Sequence, residues 1–202
     1  MQTAAELPLV GGHVALDFIN TAEQRGHPAA EDVLRTPADL RAWGRRLGLL
    51  TAGASAGAEN GDETDELARA VAARELLHTL FVARIDGAEP TRAQLAQLSA
   101  LAAEAHAAAR LETAGDGRVE WRWAKSDLAS VRHVAVTSAI ELLRAEPTAR
   151  LRQCPGDHCG WFFIDATKRG NRRWCSMSDC GQDAKSAGRR ARSALDTPAA
   201  PS

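Results

Sequence analysis

Four cysteines, Cys154, Cys159, Cys175 and Cys180, fall within 27 consecutive residues of a 202-residue chain that has no others. Thiols clustered in this way need a local cause. In a reducing compartment two disulfides are a poor one, whereas four thiolates in two spaced pairs supply the tetrahedral sulfur set of Zn2+. Cys154-Pro155-Gly156-Asp157-His158-Cys159-Gly160 reads as a tight glycine-bearing loop with a thiol at each end. The strand-like run Trp161-Phe162-Phe163-Ile164-Asp165 follows, and beyond the turn residues Lys168 to Asn171 the run Arg172-Arg173-Trp174 is expected to return beside it. Cys175 and Cys180 then lead into Ala184 to Leu195, which has helix-forming composition.

Loop, hairpin and a helix with a ligand at its first turn is the order of a treble-clef zinc finger. Four of the chain's nine aromatic residues lie here, Trp161, Phe162, Phe163 and Trp174, and a module this small needs a metal plus compact apolar contacts to fold. A closed four-sulfur site leaves no position for water, so one structural Zn2+ is expected and hydrolysis at the metal is disfavoured. His158, the alternative nitrogen ligand nearby, is expected to face solvent. Redox thiols and an Fe–S site are the competing readings of the same cysteines.

Charge divides the chain at the same place. Residues 150–195 carry ten Lys and Arg against four Asp, a net of +6, while residues 1–149 hold 15 basic and 21 acidic groups, a net of -6. The total of -1 hides this dipole, which points to two modules with different partners. At 100° per residue, Gln182, Lys185, Arg189 and Arg192 fall within about 80° of one another on the last helix. Ala184, Gly188, Ala191 and Leu195 form a separate narrow face suited to packing on the zinc core, and Arg172-Arg173 would extend the basic surface. A cationic helix on an aromatic-rich finger points to nucleic-acid contact by Arg172, Arg173, Gln182, Lys185, Arg189, Arg190 and Arg192. Four thiolates plus Zn2+ sum to -2, which lowers the module to about +4.

The first 148 residues read as mainly helical. Val14, Leu16 and Phe18 fit a period-two strand, and Leu16 to Thr21 fits the opening of a helix equally well. Thr36-Pro37 caps a short helix with Leu40, Trp43 and Leu47 inward. Thr51 to Glu63 is a Gly/Ala/Ser-rich connector. Leu67, Val71, Leu77, Phe81 and Ile85 mark a long amphipathic helix stopped by Asp86-Gly87. Thr91 caps another, with Leu95, Leu98, Leu101 and Ala105 expected inward. Gly115-Asp116-Gly117 closes a hairpin whose Val119, Trp121 and Trp123 alternate with charge. A last helix opens at Ser126-Asp127 and ends before Pro147. Trp43, Trp121 and Trp123 are expected in the core, and His13, His78, His106 and His133 are expected to be packed or surface imidazoles. The fold class expected is thus α+β: a mainly helical N-terminal domain (1–148) with a small β-hairpin, a treble-clef-like zinc finger (149–195) and a disordered tail (196–202).

The C-terminal residues carry a resemblance. Cys-x4-Cys-Gly-Trp-x-Phe-x-Asp followed by Arg-Arg-Trp-Cys-Ser-Met-x-x-Cys-Gly, here Cys154 to Gly181, resembles the CGNR zinc-finger family, while Leu16-Asp17-Phe18-Ile19-Asn20-Thr21 and Ala73-Arg74-Glu75-Leu76 are similar to its usual N-terminal partner, the ABATE domain. The resemblance implies a bacterial, stress-induced transcriptional regulator. It breaks at the family's name-giving motif: Gln182 and Asp183 stand where Asn-Arg is usual. An Asp for an Arg places a phosphate-repelling group on a phosphate-binding surface, which weakens DNA affinity. Asp183 projects toward Arg190, away from Lys185 and Arg189.

Other functions find less support. No glycine-rich phosphate loop, His-Glu-x-x-His or nucleophile elbow is present, so the chain does not read as an enzyme. Asp17, Asn20 and Arg74 are candidate ligand-binding residues of a sensor, set against the ordinary role of such side chains in capping. The longest run without Asp, Glu, Lys or Arg is twelve residues, Leu47 to Ala58, short of the ~18 a membrane helix needs. No basic residue precedes Arg25, so a secretory leader is not expected and the cytoplasm is the expected compartment. The sequence therefore predicts a cytoplasmic regulator that binds one Zn2+ and DNA and answers to a small-molecule effector or protein partner. A protein–protein adaptor and a thiol redox switch are the alternatives.

Overall fold

The computed structural model describes residues 3–25, 30–51, 61–145 and 150–195, the last five by backbone only. Twelve elements run in order among them: α1 (Val14–Ile19), β1 (Ala22–Glu23), β2 (Glu31–Asp32), α2 (Pro37–Arg46), α3 (Gly61–Asp86), α4 (Arg92–Ala107), β3 (Arg110–Thr113), β4 (Val119–Arg122), α5 (Ala129–Arg144), β5 (Leu151–Gln153), β6 (Phe162–Ile164) and α6 (Cys180–Leu195). The α+β class expected from the sequence is present: helices dominate, and the strands form three separate antiparallel pairs.

Local chemistry explains most of the starts. Thr36 accepts the amide of Asp39 at 3.2 Å and the Asp39 carboxylate accepts that of Thr36 at 2.9 Å, a capping box before Pro37. Thr91 and Gln94 do the same for α4. Gly87, at φ +70°, follows the end of α3, where a left-handed residue breaks the ladder. Residues 14–19 resolve to a helix. The reason is burial on several sides: Ala15, Leu16, Asp17, Phe18 and Ile19 are all buried, and no strand buries five consecutive residues against one face. Residues 52–60 of the expected connector lie outside the described residues, and Gly61 to Glu63 already belong to α3. The expected division near Pro147 and the tail also lie outside them.

α1, α3 and α5 pack around a core of Leu16, Phe18, Trp43, Leu77, Phe81, Val131 and Val136. Arg132 on α5 is fully buried, with Nε and Nη2 on the two oxygens of Glu66 at 2.7 and 2.9 Å and Nη1 on Glu104 at 3.0 Å. Those bonds hold the Glu104 carboxyl down at about 2. Two inward expectations fail. Leu95 and Trp121 are exposed, because α4 lies at the edge of the bundle and buries only Ala105 fully, and because the hairpin of β3 and β4 stands off the core. Trp123 is partly buried and donates its indole N–H to the Ala105 carbonyl at 2.8 Å.

Candidate metal centre and the helix it carries

β5 and β6 pair antiparallel, with Gln153 opposite Phe162 and Leu151 opposite Ile164. Residues 154–161 form the turn between them, closed by the Cys154 amide on the Trp161 carbonyl at 2.8 Å and the Cys159 amide on the Gly156 carbonyl at 3.0 Å. The first cysteine pair is thus the tip of a hairpin. This corrects the expected order: β6 pairs with the segment before the loop, and Arg172 to Trp174 form no strand. The Leu151-Arg152-Gln153 run is too short and too charged to signal a strand by periodicity.

Gly156 sits where a Cβ would lie 3.2 Å from Cys180 Sγ and 3.2 Å from Cys159 Cβ, so a larger residue there would have to push the sulfur cluster by a few tenths of an ångström. Gly160, at φ +71°, lets the chain turn back into β6. The second pair arrives on a turn and a helix start: Cys175 is buried, and Cys180 is the first residue of α6. All four Sγ atoms lie within 4.8 Å of one another, with Cys159 to Cys175 at 3.4 Å and Cys175 to Cys180 at 3.6 Å. Four sulfurs about 2.3 Å from a zinc ion have tetrahedral edges of about 3.8 Å, so the set fits Zn2+ with small adjustment. Hydrogen bonds from Cys159 and Cys175 pull the Cys154 thiol well below its usual range, while the contact with Cys154 pushes Cys159 and Cys175 up. The four sulfurs are close enough to act on one another's protons, and a cation held by the set takes all four as thiolates. His158 is exposed beside the loop, as expected.

The finger is joined to the helical part over a broad contact. Asn20 grips the backbone of Phe162, the Ile164 amide donates to the Gly11 carbonyl at 2.9 Å, and the rings of Phe81 and His78 lie 6.0 and 5.4 Å from that of Phe162. Asp165 is fully buried and accepts from the Thr167 hydroxyl at 2.6 Å, its amide at 2.9 Å and the Arg172 amide at 2.8 Å, which hold its pKa below the usual carboxylate value. Arg172 donates to the carbonyls of Trp174 at 3.0 Å and Val10 at 3.2 Å, and to that of Cys175, with its guanidinium 4.3 Å above the Phe163 ring. Arg172 is therefore a brace between finger and helical part. Its role is invisible in sequence because its acceptors are backbone carbonyls, one of them 162 residues away.

Arg173, Gln182, Lys185, Arg189 and Arg190 are exposed, and the side chain of Arg192 lies outside the described residues. α6 leaves the zinc core after its first turn. Gly181 is packed so that a Cβ would meet Met177 Sδ at 2.9 Å, but Gly188 is exposed with nothing within 4 Å. Of the small-residue face expected to pack on the finger, Ala184 is partly buried and Gly188 is exposed, while the side chains of Ala191 and Leu195 lie outside the described residues. Asp183 stands in the first turn, where a carboxylate favours the positive end of the helix dipole.

The three candidate sensor residues are all buried and bonded. Asp17 accepts the Gly11 amide at 2.8 Å, and burial raises its pKa to about 6 against that bond and the charge of Arg46. Arg74 pairs with Asp32 and Glu75 and donates to the Thr21 hydroxyl at 3.1 Å. Asn20 and Arg74 are thus linked through the α1 end but face different partners.

Residues 12–146 match the ABATE family model, described as "Putative stress-induced transcription regulator". The chain belongs to the ABATE family. Residues 150–193 match the CGNR zinc finger, the segment that holds the four-cysteine cluster, so the cluster is the structural one-zinc site of that finger. Neither family is an enzyme family. No curated protein matches the chain. Among the described residues of this ABATE chain no helix is long and apolar enough to cross a membrane.

Proposed function

We propose that this ABATE chain is a cytoplasmic transcriptional regulator whose zinc finger contacts DNA through α6 and whose helical part receives an effector or partner. The observation that carries the reading is the free stretch of α6: Lys185, Arg189 and Arg190 are exposed on a helix that projects from the zinc centre, with Arg173 exposed at its base. A cationic helix anchored at one end by a metal is suited to follow a phosphate backbone. Gln182 offers an amide beside them, and Arg192 lies one turn beyond Arg189. Arg172 serves this surface indirectly by bracing the loop before Cys175.

An effector acting at Asp17, Asn20 or Arg74 has to compete with bonds that hold α1, and through Asn20 the finger itself. Sensing in this scheme is release or reorientation of the finger. The direct test is fluorescence anisotropy of the zinc-loaded chain on random-sequence duplex DNA over a salt series. Binding that weakens linearly on a log–log salt plot supports phosphate contact. Absence of binding at low salt, with the zinc site intact, refutes the DNA role and leaves a protein partner for the finger.

A further inference from the structure

The hairpin of β3 and β4 lies outside the zinc finger and takes no part in α6. All four residues of β3 are exposed, and β4 is its ladder partner on one side only. The register sets Leu111 opposite Trp121 and Thr113 opposite Val119, so these four side chains share one face. Trp121 packs edge-on against His106 of α4 at 5.1 Å, yet the face still meets water: Leu111 is 59% exposed, Val119 65% and Trp121 43%. A two-stranded hairpin with an open apolar face is marginal by itself, and an uncovered edge is a template for another strand.

The backbone of that edge is available. The Ala114 amide donates to the Arg118 carbonyl at 2.7 Å, and bonded pairs alternate along an antiparallel ladder, so Leu111 and Thr113 turn their N–H and C=O groups outward. The charges select the strand that fits. Within the hairpin Arg110 stands opposite Arg122 and Glu112 opposite Glu120, like against like. Glu120 and Arg122 relieve this by bonding each other at 2.7 Å, whereas Arg110 and Glu112 make no ion pair among the described residues. A second β3, antiparallel about a twofold axis through Leu111, sets each Arg110 opposite a Glu112 and Leu111 against its own copy. A shift by one residue would turn the apolar face of one strand onto the charged face of the other.

We infer that β3 is a homodimerisation edge. Two copies join through it into a four-stranded sheet in the order β4-β3-β3-β4, centred on Leu111, with an apolar face continuous from one Trp121 to the other. The symmetry is isologous, so one sequence supplies both halves of each charge pair.

Sedimentation velocity on the full zinc-loaded chain tests it. The expected species at tens of micromolar is a dimer of the 21.6 kDa chain. Arg110→Glu and Glu112→Arg, made singly, each create two like-charge contacts across the axis and are expected to raise the dimer dissociation constant about tenfold or more. The double variant Arg110→Glu/Glu112→Arg restores both opposite-charge contacts and is expected to return the constant to near that of the parent. Circular dichroism checks that the fold is unchanged in all three. A parent that is monomeric at several hundred micromolar overturns the inference. So does a dimer indifferent to either single reversal, which would place the contact elsewhere, or a double variant that fails to recover.

Discussion

The side chain of Asn20 and the backbone of Phe162 bond reciprocally, Nδ2 donating to the Phe162 carbonyl at 2.9 Å and Oδ1 accepting its amide at 2.8 Å. A carboxamide here stands in for a neighbouring strand, satisfying a β6 residue that is fully buried. Ile164, two residues on, donates to Gly11, whose own amide is held by Asp17. The finger is thus aligned on the helical part through the start and end of α1.

Asn20→Ala removes both bonds and leaves the Phe162 amide and carbonyl buried without partners. Each such group costs about 1–3 kcal/mol, so a loss of roughly 2–4 kcal/mol is expected in urea unfolding. Zinc content should stay at one per chain, because Asn20 does not touch the thiols. Unchanged stability would mean that water replaces the carboxamide freely.

Zinc removal is expected to act beyond the finger. Elemental analysis should find one Zn2+ per chain with four protected thiols, and Cys175→Ala should abolish binding and unfold the 150–195 region, since metal binding and folding are coupled in modules of this size. Phe162 and Phe163 belong to the same core cluster as Phe81 and Leu77. We propose that residues 1–148 nevertheless fold alone. The fragment should melt cooperatively without metal, at a lower temperature than the full chain because it forfeits the burial of those two rings. A non-cooperative melt would make the finger an obligatory part of one core.

The legible features are those set by residue type at fixed spacing: the cysteine quartet, the Thr36 and Thr91 caps, the Gly115-Asp116-Gly117 turn and the stop at Gly87. Periodicity works where one face is buried, as in α3. It misleads for α4 and the hairpin, where apolar residues mark a surface: Leu95 and Trp121 read as core and are exposed. α1 is undecided between two periods because nearly all of it is buried. Long-range contacts to backbone, such as Asn20 to Phe162 and Arg172 to Val10, leave no pattern at all, since any residue offers an amide and a carbonyl. The same limit hides Arg172's bracing role and the pairing of β5 with β6.

Asp17 makes a pH prediction. Its carboxyl is raised by burial from 3.8 to about 6, so between those values the folded chain holds a proton that the unfolded chain has released. The contribution of this group to stability is therefore present below about pH 4 and lost as pH rises through 6. Asp17→Asn keeps an acceptor for the Gly11 amide and removes the buried charge. It should gain on the order of 1–2 kcal/mol at pH 8 and flatten the pH dependence of unfolding between 4 and 6. A variant less stable than the parent at pH 8 would show that the charge on Asp17 is favourable, through Arg46.

The departure from the family motif at Asp183 probes the DNA interface. If the exposed face of α6 lies along phosphates, Lys185→Ala with Arg189→Ala should weaken binding to all duplexes alike and reduce the log–log salt slope by about 0.9 for each phosphate no longer neutralised. Asp183→Arg changes the local charge by +2 and should strengthen binding wherever the first turn of α6 approaches the backbone, and Asp183→Asn should give a smaller gain. The two differ in fold as well: Asp183 favours the positive end of the helix dipole, so the Arg variant should lose a few tenths of a kcal/mol to about 1 kcal/mol of finger stability while gaining affinity. Anisotropy titration and thermal melting of the same samples separate these effects. Affinity unchanged in both Asp183 variants would set the first turn off the interface, and indifference to the double alanine change would refute the basic face itself. A parent that binds no DNA at physiological salt, beside an Asp183→Arg variant that does, would mean that this finger has diverged from DNA. A protein would then be the partner of α6.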